Sequence, residues 1–157
     1  MASSTPLFLF DSNIITKLVE DQPEAAAIQL LVENAAQGHS RLVISTVAML
    51  EASRQPYVFN PVKVAKLIDF FENDYIEVVD LDVTLAQEAL LLIDDYQWLR
   101  PMDAAHVATA LRTGCIALYT TDADLINRLH RERGLQVLAP GTPLESDLGG
   151  FQLFEGL

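Results

Sequence analysis

The sequence predicts an α/β fold in which a parallel sheet is covered by helices on both faces. Three observations lead there. Apolar runs at 7–10, 42–44, 75–81, 116–120 and 135–138 have the length and the aromatic or β-branched bias of buried strands. The stretches between them carry apolar residues at helical spacing. Strands and helices also alternate along the chain, which is the order that crossover connections between parallel strands produce.

The first strand, Leu7-Phe8-Leu9-Phe10, stops abruptly at Asp11 and leads into a short helix or loop over 14–20. Pro23 suits the first turn of a helix over 24–37, where Ile28, Leu31 and Val32 form one stripe and Gly38 is the stop. Leu42-Val43-Ile44 is the second strand. Ser45 or Thr46 caps the following helix, which carries Glu51 and is stopped near Pro56. Asn60-Pro61 starts a helix whose apolar spacing runs to Asn73. Tyr75 to Leu81 is the third strand, and Val83 to Tyr96 the next helix. Pro101 opens an alanine-rich helix that Gly114 closes, with Asp103 in its first turn. The fourth strand, 116–120, leads through Thr121-Asp122-Ala123-Asp124 into a helix over 125–133, and Gly134 precedes the fifth strand. The chain is read as one domain with its core at about 7–138 and a Pro- and Gly-punctuated tail at 139–157.

Ten Lys and Arg stand against 22 Asp and Glu, a formal net charge of −12. Such a chain is not a sequence-indifferent nucleic-acid binder held by overall charge, so an RNA or DNA substrate would need a local basic patch. No apolar run approaches a membrane span and residues 1–6 lack a secretory signal, which predicts a cytoplasmic protein with no membrane partner. Cys115 is the single cysteine. It excludes an internal disulfide and reads as a small buried hydrophobe.

Parallel strands would bring Asp11, Asp122 and the start of the helix bearing Glu51 to one sheet edge, where α/β ligands bind. Asp103 opens the helix before the fourth strand. Each acid alone also reads as a helix cap, an Asx-turn or a surface group. Gathered carboxylates, however, repel one another unless a cation neutralises them, and an oxygen-only set favours Mg²⁺ or Mn²⁺ over zinc.

Four segments carry a family resemblance: Leu9-Phe10-Asp11-Ser12-Asn13, Ile44-Ser45-Thr46-Val47-Ala48-Met49-Leu50-Glu51, Pro101-Met102-Asp103-Ala104-Ala105-His106-Val107-Ala108, and Tyr119-Thr120-Thr121-Asp122-Ala123-Asp124-Leu125. In this order they resemble the PIN-domain metal-dependent ribonucleases and, among them, the VapC-like toxins of toxin–antitoxin pairs. The resemblance implies a three-layer α/β/α sandwich with a five-stranded parallel sheet. It also implies an acidic quartet of Asp11, Glu51, Asp103 and Asp122 holding one or two Mg²⁺ or Mn²⁺ ions, with Asp124 a second candidate for the fourth place.

The activity so implied is RNA phosphodiester hydrolysis by metal-activated water, without a protein nucleophile. Ser12, Asn13 and Thr46 would be supporting polar groups, and Arg54, Arg100 and Arg112 candidate RNA contacts. An antitoxin would occupy the acidic site, and a homodimer would form through helices between 24 and 73. His106 reads as a structural histidine or a partner of Asp103. Trp98 reads as a packed aromatic or a base-stacking one, and Tyr57, Phe59, Phe70 and Phe71 as packing or a groove for an apolar helix. The alternative function is a non-catalytic PIN-fold interaction module.

Overall fold

The structure, a computed structural model, describes residues 4–53, 60–145 and 151–152, the last two by backbone only. Arg54, Tyr57 and Phe59 lie outside the described residues. Strands β1 (Leu7–Phe10), β2 (Arg41–Ser45), β3 (Ile76–Val79), β4 (Ala117–Tyr119) and β6 (Leu135–Leu138) form a parallel sheet in the order β3-β2-β1-β4-β6. The two-residue strand β5 (Arg131–Glu132) adds antiparallel to β6 at the edge. The sheet therefore has the five expected parallel strands and a sixth.

That sixth strand corrects the helix expected over 125–133. Helix α7 (Ala123–Arg128) ends where Leu129 leaves helical conformation, at φ −124° and ψ 39°, and Arg133 and Gly134 then both take positive φ, 49° and 85°. Two such residues make the tight turn that matches hairpin twist, and Glu132 accordingly faces Leu135 across the pair. Gly134 thus reverses a hairpin rather than ending a helix. In the tail, β7 (Leu144–Glu145) pairs antiparallel with β8 (Phe151–Gln152).

Alternation along β1 builds the three layers, since Phe8 and Phe10 point to one face and Leu9 to the other. Phe8, Phe10, Leu42 and Ile44 are covered by α1 (Ser12–Val19), α2 (Ala25–Ala36) and α4 (Pro61–Phe71), through Ile14, Ile15, Ile28, Leu31 and Leu67. Phe71 is buried in this layer with Phe70 packed against it. Leu9, Val43, Leu118 and Val137 are covered by α5 (Val83–Asp95), α6 (Pro101–Thr113) and α7, through Leu85, Leu92, Ala104, Val107, Ala108 and Leu125. The four alanines of α6 are all buried. Small side chains let this helix lie close against the sheet, so its first turn is fixed over the strand ends. Cys115 is buried as expected, and burial pushes its thiol up to about 11.

The remaining helix, α3 (Thr46–Ala52), follows β2 directly. Ser45 caps it, accepting a 3.0 Å hydrogen bond from the Ala48 amide. Among the described residues no helix is long and apolar enough to cross a membrane.

Candidate active site

The chain leaves β1 toward β2 on one side and has β4 on the other, so a topological switch point lies between β1 and β4. Asp11 stands there at the end of β1. Its amide donates to the Tyr119 carbonyl of β4, and its Oδ1 caps α1 by accepting from the Ile14 amide at 3.1 Å. The residue is 3% exposed. Burial raises its pKa, while hydrogen bonds from the Thr120 hydroxyl and the Ile14 amide act against that rise.

Thr120 connects Asp11 to the next acid. Its fully buried hydroxyl donates to Asp11 and accepts from the Asp122 amide at 3.1 Å. Asp122 in turn caps α7, its Oδ1 accepting from the amides of Asp124 and Leu125 at 3.0 and 3.3 Å. Asp103 projects from the first turn of α6. Arg100, at the N-cap of α6, joins the two acids: its Nε donates to Asp103 Oδ2 at 2.8 Å and its Nη2 to Asp122 Oδ2 at 2.6 Å.

Glu51 arrives from α3 and is held by a relay that the sequence did not reveal. His106 is 2% exposed on α6, with Nε2 3.0 Å from Glu51 Oε1 and Nδ1 3.2 Å from Ser45 Oγ. An ionised carboxylate only accepts, so Nε2 carries the proton. With the ring neutral, the Ser45 hydroxyl donates to Nδ1 while its oxygen accepts from the Ala48 amide. The His106 hydrogen bond, assisted by one from Ser12, lowers the Glu51 pKa.

Asp11, Ser12, Asn13, Glu51, Asp103 and His106 line a cleft of about 440 Å³, with Arg100, Pro101 and Met102 closing its rim. Arg100 and Asp103 also line a second cleft of about 260 Å³, where they meet Asp122, Asp124, Leu125, Trp98 and Arg128. The first three acids of the expected quartet thus share one cleft, and Asp122 joins them through Thr120 and Arg100. Asp124 is exposed in the outer cleft.

Three sequence expectations change. Thr46 does not line the cleft; its hydroxyl accepts from the Leu81 amide at 3.2 Å and fastens the loop after β3. Arg112 faces α5, paired with Asp82 and Glu88 at 3.1 Å each. His106 partners Glu51 rather than Asp103.

Comparison with known proteins agrees with the fold. The family described as PIN domain matches residues 8–131. This chain belongs to the PIN-domain family. The PIN fold recurs in VapC20 of Mycobacterium tuberculosis, described as a Sarcin-Ricin loop cleaving toxin. That match has a TM-score of 0.61 and 13% identity, covering 77% of this chain and 94% of that one. VapBC-1 from nontypeable Haemophilus influenzae matches at TM-score 0.60 and 17% identity, over 87% of this chain and 99% of that one. A toxin-antitoxin complex from Klebsiella pneumoniae matches at 0.58 and 20%, over 84% and 96%. At these identities the likeness is one of fold. No curated protein matches the chain in sequence.

The acids of this PIN domain fit a hard divalent ion by donor chemistry, since they offer carboxylate oxygens alone around one guanidinium. Among the described residues, no three His, Cys, Asp or Glu side chains are gathered around one point as ligands. As they stand, Arg100 holds Asp103 and Asp122, and His106 holds Glu51.

Proposed function

We propose that this PIN-domain protein is a metal-dependent endoribonuclease, the toxin of a toxin–antitoxin pair. The observation that carries the reading is that carboxylates from three separate elements, Asp11, Glu51 and Asp103, line one cleft at the sheet's switch point, with Asp122 linked to them through Arg100. Such a site costs stability through burial and repulsion, and a phosphodiester hydrolase gives that cost a use.

A Mg²⁺ or Mn²⁺ ion held by Asp11, Glu51, Asp103 and Asp122, with Asp124 at the rim, would supply charge stabilisation at a phosphoryl oxygen and a more acidic water. The chain's own residues do the rest. Asp11 is oriented by Thr120 and the start of α1, and the Ser45–His106 relay orients Glu51. Ser12 and Asn13 offer polar contacts at the cleft wall. Arg100, 68% exposed, can leave Asp103 and Asp122 for a substrate phosphate. Ser45, the hydroxyl bonded to His106, is 1% exposed and does not line the cleft, so in this reading water is the attacking group.

Of the fold relatives described above, one is described as a toxin and another as a toxin-antitoxin complex, which supports an antitoxin partner here. A basic segment of that partner suits an acidic cleft. A cytoplasmic homodimer completes the reading.

Purified protein incubated with structured and single-stranded RNAs tests it. Cleavage is expected with Mg²⁺ or Mn²⁺, and not with chelator or in Asp11→Asn. Intact RNA under every condition, with no Mn²⁺ bound, would leave a non-catalytic interaction module as the function.

A further inference from the structure

Of the three arginines expected to meet RNA near the acids, Arg54 lies outside the described residues and the structure commits the other two elsewhere. Arg100 is bound to Asp103 and Asp122, and Arg112 to Asp82 and Glu88. A further arginine that the sequence did not single out, Arg128 at the end of α7, has no carboxylate partner among the described residues. Its guanidinium carbon lies 4.2 Å from the centroid of the Trp98 ring. Trp98 packs on the core beneath α5 and α6 and meets Tyr96 edge to face at 6.3 Å, so its ring is anchored. Both residues line the outer cleft, floored by the buried Leu125, and that cleft shares Arg100 and Asp103 with the acid site. An aromatic ring, a guanidinium lying over it with no carboxylate partner among the described residues, and a buried leucine, next to Asp103, Asp122 and Asp124, supply the parts of a subsite for one nucleotide.

We infer that Trp98 and Arg128 form a nucleotide subsite next to the acid cleft, in which the guanidinium now lying over the Trp98 ring moves to the phosphate and one base of the RNA takes its place on the ring. The inference rests on the ribonuclease reading for its ligand. Stacking tolerates any base, so this subsite adds affinity and register rather than sequence choice. It also supplies the local basic contact that a chain of net charge −12 needs.

Trp98 is the only tryptophan, so its emission reports the subsite directly. A short single-stranded oligoribonucleotide is titrated into the full chain with chelator, and into Asp11→Asn with Mn²⁺. Saturable quenching is expected, with half-saturation about 10-fold higher in Arg128→Gln and unchanged in Arg112→Gln. An anisotropy titration of the labelled oligonucleotide should show a similar loss in Trp98→Leu. Absence of quenching in both titrations, or equal affinity in Arg128→Gln, would overturn the subsite. Quenching by an oligoglutamate peptide but not by the oligonucleotide would also overturn it, assigning the cleft to an acidic protein segment. Metal-dependent cleavage without quenching removes the subsite and keeps the nuclease. Quenching without cleavage does the reverse.

Discussion

Replacing His106 by alanine removes the link between Glu51 and the start of its own helix. The imidazole is buried and bonded at both nitrogens, to Ser45 at 3.2 Å and Glu51 at 3.0 Å. On the Ser45 side, a hydroxyl that is itself 1% exposed loses its acceptor, which costs about 1–2 kcal/mol. On the other side, Glu51 keeps about a third of its exposure and is rehydrated, so that bond is discounted to about 0.5 kcal/mol. The space left by the ring adds about 1 kcal/mol. The sum is about 3 kcal/mol, or a fall in Tm of roughly 6–12 °C. Glu51, freed from its relay, loses its place at the cleft, and metal-dependent cleavage should fall about 10- to 100-fold. Urea denaturation and single-turnover cleavage measure the two effects. Unchanged cleavage alongside the stability loss would refute the positioning role, and unchanged stability would refute the relay itself.

Other perturbations separate the remaining parts of the site. Asp11→Asn should abolish cleavage yet stabilise the fold at neutral pH by about 1 kcal/mol, because it removes a carboxylate whose ionisation burial disfavours. The sign follows from a folded pKa raised above 3.8: the gain is full above the folded pKa, and shrinks as pH falls from there toward 3.8, as denaturation across that range would record. Glu51 has the opposite linkage. Its folded pKa lies below 4.5, so its contribution, present above 4.5, is lost as pH falls through the folded value; in Glu51→Gln that part of the acid destabilisation should be missing. Arg100→Gln removes a unit positive charge from the acids and should tighten Mn²⁺ binding about 10-fold by calorimetry, while weakening RNA binding. At the water-like dielectric of an exposed side chain, the repulsion relieved is about 1–2 kcal/mol. Arg112→Ala breaks two exposed ion pairs, so cleavage should stay unchanged and stability should fall by less than about 1 kcal/mol.

Much of the sheet and the acid edge was legible because the signals are local. An apolar run ended by an acid marks Asp11, and Pro101 fixes Asp103 in a first helical turn. Thr-Thr-Asp after a strand places Asp122 at a cap, and parallel topology carries these positions together. What the sequence did not reveal depends on direction across space. Arg112 is near Asp103 in the chain, but its position lies roughly 13 Å further along α6 at 1.5 Å per residue, which sets it against α5. His106 has helix spacing that suits a core residue equally well, and its meeting with Ser45 and Glu51 arises only when α6 crosses the end of β2. Thr120 reads as the end of a strand until its hydroxyl is seen between Asp11 and Asp122. The Arg133-Gly134 turn was hidden because a glycine after a helical pattern ordinarily marks a C-terminal stop.

The central claim is that water, activated at the acid edge, cleaves the RNA backbone. The same cleft holds an imidazole, so the rival chemistry is attack by the neighbouring ribose hydroxyl with His106 as base. Cleavage in heavy-oxygen water, followed by mass analysis of the new RNA ends, tells the two apart. Incorporation of the heavy oxygen into the terminal phosphate, with no cyclic phosphate formed at any time, is the predicted result. A cyclic phosphate that accumulates before hydrolysis, or cleavage that persists with chelator, would contradict the account.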